Sequence, residues 1–586
     1  MIEKVTLEYF KKFQNETFYL GDSVVLAGPN NSGKSTLLQA IAVWNLAVQR
    51  WHQERNAAKS KAERRTGVPI SRKDFTAIPL REMNLLWTDR STAYSRDKAH
   101  NIEAGQPKLV KIGVEGKAPD GSTWQLNVAI RYSSKEQIYV KLLDQEGKPL
   151  TELPPILSAT QVVHIPPFSG IGAEETRYDR GYQNHLTGQG KPGDILRNLL
   201  LEIFQGAKKE NWQLLKKEIE KLFNYEILDP SYSPTDPFII IEYRPSNSTK
   251  SFDLASAGSG FHQVLTLLGF IYARAASILL VDEPDAHEHV ILQRQVYERL
   301  RSVARQRNCQ LIISTHSEIV LEDTTPQQIL SFYGEPHRIK LDEERDRVRE
   351  ALRRLSSLDI LSAESRQNIL YVESESDFNI LKAFAKVLEH KATSFFNNPF
   401  YNPLRGSSAR EAKAHFFALQ AISPQIRGIL FLDRDNKDLP DHEVAAENLK
   451  IVRWKRYEIE NYLLVPSALL RCLKSMISIR GEMMEQPDLF QQKQIHHKRI
   501  EEANAFFKDQ FPPAALAYPL GENPFLLHIA ASKELLPKLF DKVGINIPKK
   551  DYYQIAESFE PDEVHTEVRE NLDRIALLSP SVTDNA

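Results

Sequence analysis

Gly28-Pro29-Asn30-Asn31-Ser32-Gly33-Lys34-Ser35-Thr36 is the stretch on which the fold turns. It follows an apolar run, residues 18–27, that reads as a strand. After it comes helical spacing through Leu37, Leu38, Ile41 and Trp44. Gly28 to Ser35 fits G-x-x-x-x-G-K-[ST]. Glycines let backbone N–H groups curl around phosphate oxygens, and the following helix aims its N-terminus at the anion. In such a loop Lys34 reaches the β- and γ-phosphates of ATP and the Ser35 hydroxyl ligates Mg²⁺. Asn30, Asn31, Ser32 and Thr36 complete the expected cradle. A strand, a phosphate loop and a helix in that order open an α/β fold.

Residues 2–10 read as a further strand, and 108–145 as strands and hairpins with turns at Pro119-Asp120-Gly121 and Glu146-Gly147. Residues 49–74 are polar and basic (Arg50, Arg55, Lys59, Lys61, Arg64, Arg65), which suits either a solvated projection or a phosphate contact. A short strand at 161–165 ends on Pro166-Pro167, and 193–224 has helical spacing. Strand and helix alternate from 238 to 333, then a charged helical stretch at 341–356 precedes a new α/β run opening at Asn368. The expected organisation is a first domain over 1–345, with helical insertions at 44–75 and 193–224. A helical connector over 346–366 follows, then a second domain over 367–586 with a C-terminal helical extension.

The chain has 586 residues, 75 Lys and Arg against 77 Asp and Glu, and a net charge of -2. That balance excludes a histone-like polycation but allows local basic grooves. Two cysteines, Cys309 and Cys472, make neither a disulfide framework nor a CxxC pair. The first residues lack the order of a signal peptide, and no stretch approaches the ~20 apolar residues of a bilayer span. A cytoplasmic protein without a membrane partner is expected.

Three features add to the phosphate loop. Ile278-Leu279-Leu280-Val281 is an apolar strand ending in Asp282 and Glu283. Asp282 is placed to hold Mg²⁺ through water, and Glu283 to orient or deprotonate an attacking water. Leu311-Ile312-Ile313 is a second such strand, leading to Ser314-Thr315-His316 at the end where α/β sheets place ligands. Between loop and acids, Leu254 to Gly260 is a small-residue run, including Ser256 and Gly258, that opens a helix. Either an anion-facing N-terminus or a plain Gly/Ser turn explains it.

The later α/β run repeats the strand-end logic with acids alone. Ile369-Leu370-Tyr371-Val372 leads to Glu373, with Asp377 four residues on, and Ile429-Leu430-Phe431-Leu432 leads to Asp433-Arg434-Asp435. On a continuing strand Asp433 and Asp435 share a face. Two carboxylates so close do not both ionise cheaply without a cation between them, and Mg²⁺ or Mn²⁺ with oxygen ligands is the natural remedy. Asp433-x-Asp435 alone is equally a solvated acidic turn; its pairing with Glu373 and Asp377 points to metal. Nearby basic residues (Arg405, Arg410 and His496-His497-Lys498-Arg499) suit nucleic-acid phosphates or a solvated helix face.

The order of phosphate loop, Ala255-Ser256-Ala257-Gly258-Ser259, Asp-Glu strand, Asp285-Ala286-His287 and His316 resembles the ABC-type ATPase heads of SMC and RecF proteins. That resemblance implies that Ser256 and Gly258 cap a γ-phosphate bound to another subunit, so the heads dimerise or form a higher homo-oligomer. It makes 285–287 the D-loop and His316 the switch histidine. Gln161 lies too early for the family's Q-loop glutamine. Glu373, Asp377 and the Asp433/Asp435 pair resemble the TOPRIM fold, with Ser374 where the usual pattern has Gly. Arg456-Tyr457-Glu458-Ile459-Glu460-Asn461-Tyr462-Leu463-Leu464 is similar to the block that follows in OLD-like TOPRIM domains, making Glu458 and Glu460 candidate ligands for a second cation. Phe525 to Leu536 is similar to the OLD segment carrying an active-site lysine, here Lys533, which would stabilise the scissile phosphate.

A head followed by TOPRIM is the architecture of OLD-family (overcoming lysogenisation defect) nucleases, a family that includes the Gabija nuclease subunit and retron-associated effectors. The resemblance implies an ATP-governed, Mg²⁺- or Mn²⁺-dependent DNA endonuclease in antiphage defence, acting beside a helicase or a reverse transcriptase with structured RNA. Two other readings stay open. One is an SMC/RecF-like ATPase that clamps or senses DNA without cutting it, and the other is a TOPRIM ribonuclease acting on tRNA.

Overall fold

A computed structural model describes residues 1–57, 67–95, 103–118, 120–233, 236–285, 290–404, 409–434, 445–446, 448–482 and 489–578. The chain divides into two compact units, Met1–Arg353 and Arg354–Ala586. Both are α/β, as the alternating apolar patterns predict.

The first unit contains two six-stranded sheets. One is antiparallel, in the order Phe13–Tyr19, Ile2–Phe10, Val110–Lys117, Thr123–Ser134, Gln137–Leu143, Val68–Ser71. Its core-facing side alternates along the strands, as in Val110–Lys117, where Val110, Ile112 and Val114 are buried and Lys111, Gly113 and Glu115 between them are half-buried. The other sheet carries the phosphate loop, in the order His337–Arg338, Ile329–Ser331, Ser23–Ala27, Gln310–Thr315, Ile278–Asp282, Val162–Ile165. Its last five strands are parallel. Ile278–Asp282 and Gln310–Thr315 are buried throughout, which is why they read as unbroken apolar runs rather than alternations.

Residues 18–27 are not one strand. Phe13–Tyr19 ends in the antiparallel sheet, and Ser23–Ala27 starts in the parallel one. The switch occurs at Leu20-Gly21-Asp22, where the Leu20 N–H donates to Glu3 O at 2.7 Å and Gln310 Nε2 donates to Gly21 O at 2.8 Å. Gly21-Asp22-Ser23 interrupts the apolar residues there, and that turn signal marks the change of partner. The helix Lys34–Ala57 packs Leu37, Leu38, Ile41, Trp44 and Trp51 into the core between the sheets. Each such buried side chain contributes roughly 1.5–3 kcal/mol. The basic stretch begins as the end of this helix, with Arg55 stacked 4.5 Å from the Trp51 ring. Lys59, Lys61, Arg64 and Arg65 lie outside the described residues.

The second unit is built on a five-stranded sheet, in the order Tyr401–Pro403, Asn368–Val372, Arg427–Leu432, Leu449–Arg453, Ala445–Ala446. All but the last strand are parallel. Helix Glu375–Val387 and the C-terminal helices share one apolar core with this sheet. The helix Asp342–Arg354 closes the first unit, and Ser357–Arg366 belongs to the second. No helix among the described residues is long and apolar enough to cross a membrane.

Candidate functional site

The phosphate loop leaves the Ser23–Ala27 strand beside the ends of its two parallel neighbours. Gly33 has φ +113°, and a Cβ there would stand 2.4 Å from Phe13 Cζ. A Cβ at Gly28 would stand 2.8 Å from Phe332 Cβ. Both positions therefore need glycine, one for its backbone and both for space. Asn31 is also left-handed, at φ 61°. Lys34 is buried, and its Nζ donates to Gly28 O at 2.8 Å and Pro29 O at 2.7 Å. Burial pulls its ammonium down to about 8, against the opposing pull of Glu283, Asp282 and Asp285. Lys12, which the sequence reading did not single out, ties the loop from outside by donating to Asn31 O at 2.9 Å and Ser32 O at 2.6 Å.

Register brings the strand ends together, since Asp282 lies opposite Ser314, and Thr315 opposite Ala27. Ser35 Oγ donates to Asp282 Oδ1 at 2.9 Å, and Ser314 Oγ donates to the same oxygen. Asp282 thus joins the phosphate-loop helix to the Asp-Glu strand. Glu283 has a left-handed φ of 51°, held by its N–H donating to Ser314 O at 3.2 Å and Ser314 Oγ at 3.1 Å. A non-glycine residue in that region is costly and persists only where the surroundings enforce it. His316 Nε2 lies 3.2 Å from Glu283 Oε1. Thr315 Oγ1 donates to Asp285 Oδ1 at 2.9 Å, and burial raises the Asp285 carboxyl. Ala286 and His287 lie outside the described residues.

These residues fit a nucleotide with its cation. Ser32 Oγ is buried in the loop with no hydrogen-bond partner, and a buried ammonium stands in the field of three carboxylates, Glu283, Asp282 and Asp285. The small-residue run sits apart in contact terms. Ser256 Oγ donates to Asp253 O at 2.7 Å, and Gly258 is the exposed N-cap of Ser259–Ala273, with nothing within 4 Å of where its Cβ would be. Gln161 lies at the start of Val162–Ile165, its N–H donating to Ser277 Oγ at 3.3 Å.

The acids of the second unit gather at the corresponding strand ends. Glu373 follows Asn368–Val372, and its Oε1 accepts the Asp433 N–H at 2.9 Å. Asp377 is the third residue of helix Glu375–Val387 and closes a capping box with Ser374. Ser374, where the family pattern has glycine, is accordingly the helix cap, in extended backbone at φ −141°. Asp433 does not continue its strand, which ends at Leu432; Arg434 turns away, its N–H donating to Tyr457 O at 3.0 Å. Asp435 and Arg405 lie outside the described residues. Burial, followed by the charges of Glu373, Asp377, Glu460 and Glu458, pushes the Asp433 carboxyl up to about 10. Its Oδ1 is buried without a hydrogen-bond partner.

The two blocks noted separately in the sequence, 456–464 and 525–536, are one construction. Asn461 Nδ2 donates at 2.8 Å to both Leu526 O and Ile529 O. Arg456 donates to Asn461 O and Pro519 O at 3.0 Å, and to Gly521 O at 3.3 Å. Glu458 is buried and accepts Ser532 N–H and, at 2.8 Å, Ser532 Oγ. Residues 531–535 form a π-helical turn in which Ser532 faces inward and Lys533 is exposed. The lysine that contacts the acids is Lys549, whose Nζ lies 2.8 Å from Glu460 Oε1. Glu460 is only 1% exposed, and burial together with Asp377 pushes it up to about 7. Its Oε2 has no hydrogen-bond partner. Of the two expected ligands of a second cation, Glu458 is engaged by Ser532 and Glu460 is ion-paired with Lys549. Among the described residues no three Asp, Glu, His or Cys side chains are arranged to hold a metal ion. The orphaned oxygens of Asp433 and Glu460 mark where a cation fits this donor set best.

Two family models match the first unit, an AAA domain over residues 4–49 and an AAA ATPase domain over residues 180–321. They support an ATPase domain that binds ATP. No curated protein matches the chain. Solved structures that resemble it include an SMC head bound to the C-terminal winged-helix domain of ScpA, at 14% identity and TM-score 0.34, covering 59% of this chain and 99% of that one. The SMC head domain from Thermotoga maritima gives 14% identity and TM-score 0.31, covering 58% of this chain and 99% of that one. An Smc head with an extended coiled coil, bound to the C-terminal domain of ScpA from Pyrococcus furiosus, gives 13% and 0.31, covering 56% and 92%.

Proposed function

We propose that the protein is a nucleotide-controlled, metal-dependent endonuclease that cleaves DNA phosphodiester bonds as an antiphage defence effector. In this reading a TOPRIM-type second unit of the OLD kind follows an ABC-type ATPase unit. The observation that carries it is Asp433, a half-buried carboxyl gathered with Glu373, Asp377, Glu458 and Glu460, whose buried Oδ1 has no partner. Concentrated carboxylate of this kind suits a divalent cation rather than a nucleotide. A cation bound there would stabilise charge on a scissile phosphate and lower the pKa of an attacking water. Asp433 and Glu373 hold it, and the Ser374 capping box fixes Asp377 behind them.

In the first unit Lys34 and the loop N–H groups bind the phosphates, Ser35 and Asp282 hold the cation, and Glu283 orients water beside His316. The exposed Ser256 and Gly258 complete the site of a second copy, so the heads work as a homodimer or larger assembly. A non-cutting DNA clamp is the second reading, favoured by the lack of a preassembled metal trio among the described residues. Incubation of plasmid DNA and of tRNA with Mn²⁺ decides between them. Asp433→Ala is expected to abolish DNA nicking and leave ATP turnover intact, and Lys34→Ala to abolish turnover. Nicking that survives Asp433→Ala refutes the assignment, and cleavage of tRNA alone redirects it.

A further inference from the structure

We propose that Lys549 permanently supplies the second positive charge of the acid cluster, so that the site takes one divalent cation rather than two. The inference rests on the metal-site reading above. Glu460 is almost wholly buried, yet the cation beside it arrives on an exposed stem, Lys549, whose Nζ reaches in to 2.8 Å from Oε1. The stem is anchored at its backbone, because Ser376 Oγ donates to Lys549 O at 2.9 Å, and Ser376 precedes Asp377 on the same helix. The ammonium is therefore fixed relative to the acids and is not a wandering surface charge.

The other candidate for a second cation, Glu458, accepts from Ser532 through its N–H and hydroxyl. A second divalent ion at Glu458 and Glu460 would compete with Ser532 and with the Lys549 ammonium. Asp433 Oδ1 and Glu460 Oε2 are left without a donor. An ammonium with three donors and a single charge does part of what a metal does: it neutralises, but it offers no open coordination position. In this arrangement Lys549 is a positioning residue for the lone metal.

The test counts Mn²⁺ bound to the full chain by titration calorimetry without nucleotide, taking the difference from Asp433→Asn to isolate the cluster. The wild type should show a difference of one. Lys549→Met should gain a second site, and Lys549→Arg should keep one. A difference of two in the wild type, or no gain in Lys549→Met, overturns the proposal while leaving the metal site standing. A difference of zero removes the metal-site reading itself. Should Lys549→Met not fold, wild-type crystals grown with Mn²⁺ decide. One anomalous peak near Asp433 with Lys549 still beside Glu460 supports the proposal, and a second peak between Glu458 and Glu460 overturns it.

Discussion

The two charged sites meet the same difficulty with different materials. In the first unit the charges are neutralised mainly by hydrogen bonds from the loop and strand ends: Lys34 on the Gly28 and Pro29 carbonyls, Asp282 on Ser35 and Ser314. In the second unit acids face acids, and the compensation comes from far along the chain, through Ser532 and Lys549. One site is organised around an anion that enters and leaves. The other carries an excess of negative charge that, in the proposed function, a cation relieves. Backbone amides serve the first case because they are dipoles of fixed direction, and a mobile ion would serve the second because carboxylates have only acceptors to offer.

The sharpest way to separate the two is to disable one chemically and watch the other. Glu283→Gln should lower ATP turnover about 10²–10⁴-fold, measured by phosphate release, with Mn²⁺ binding at the Asp433 cluster unchanged. Turnover within about tenfold of the wild type would remove Glu283 from the water-orienting role.

The second contrast is in pH. Asp433 has a folded pKa of about 10, far above the unfolded value of about 3.9, so the metal-free fold binds more protons than the unfolded chain between them. Its contribution to stability is therefore present at low pH and lost as pH rises through that window. Mn²⁺ takes the proton's place, so its gain in melting temperature should grow from pH 6 to pH 9, measured by scanning fluorimetry on nucleotide-free protein; a gain independent of pH breaks the comparison.

The smallest effect tests the π-helical turn. Ser532→Ala leaves Glu458 short of donors and should cost about 1–3 kcal/mol by urea denaturation. Lys533→Ala, one residue away and exposed, should leave the midpoint in place.

What the sequence disclosed follows from how local each feature is. The phosphate loop is nine contiguous residues with obligatory glycines, and its neighbours Asp282 and Ser314 end apolar strands, so pattern alone placed them. Glu373 and Asp433 were legible for the same reason, as acids following buried strands. Lys549 was not: a lysine in Pro548-Lys549-Lys550-Asp551 looks like surface until the fold brings Glu460 within reach of it. Ser532 was passed over because the resemblance pointed to its neighbour Lys533, whereas the π-helical turn buries Ser532 and exposes Lys533. The break at residues 20–22 was legible in Gly21-Asp22-Ser23, a turn signal that the single-strand reading of 18–27 ran across.

Asn461 holds residues 65 and 68 positions downstream, and Glu458 meets Ser532 across 74. Contacts of such separation form only after the intervening chain exists, and on the ribosome the amino-terminal unit emerges first. The acid cluster of a newborn molecule therefore stays unassembled until residues 526–549 have been translated, and a product terminated before them would carry the ATPase unit without that cluster.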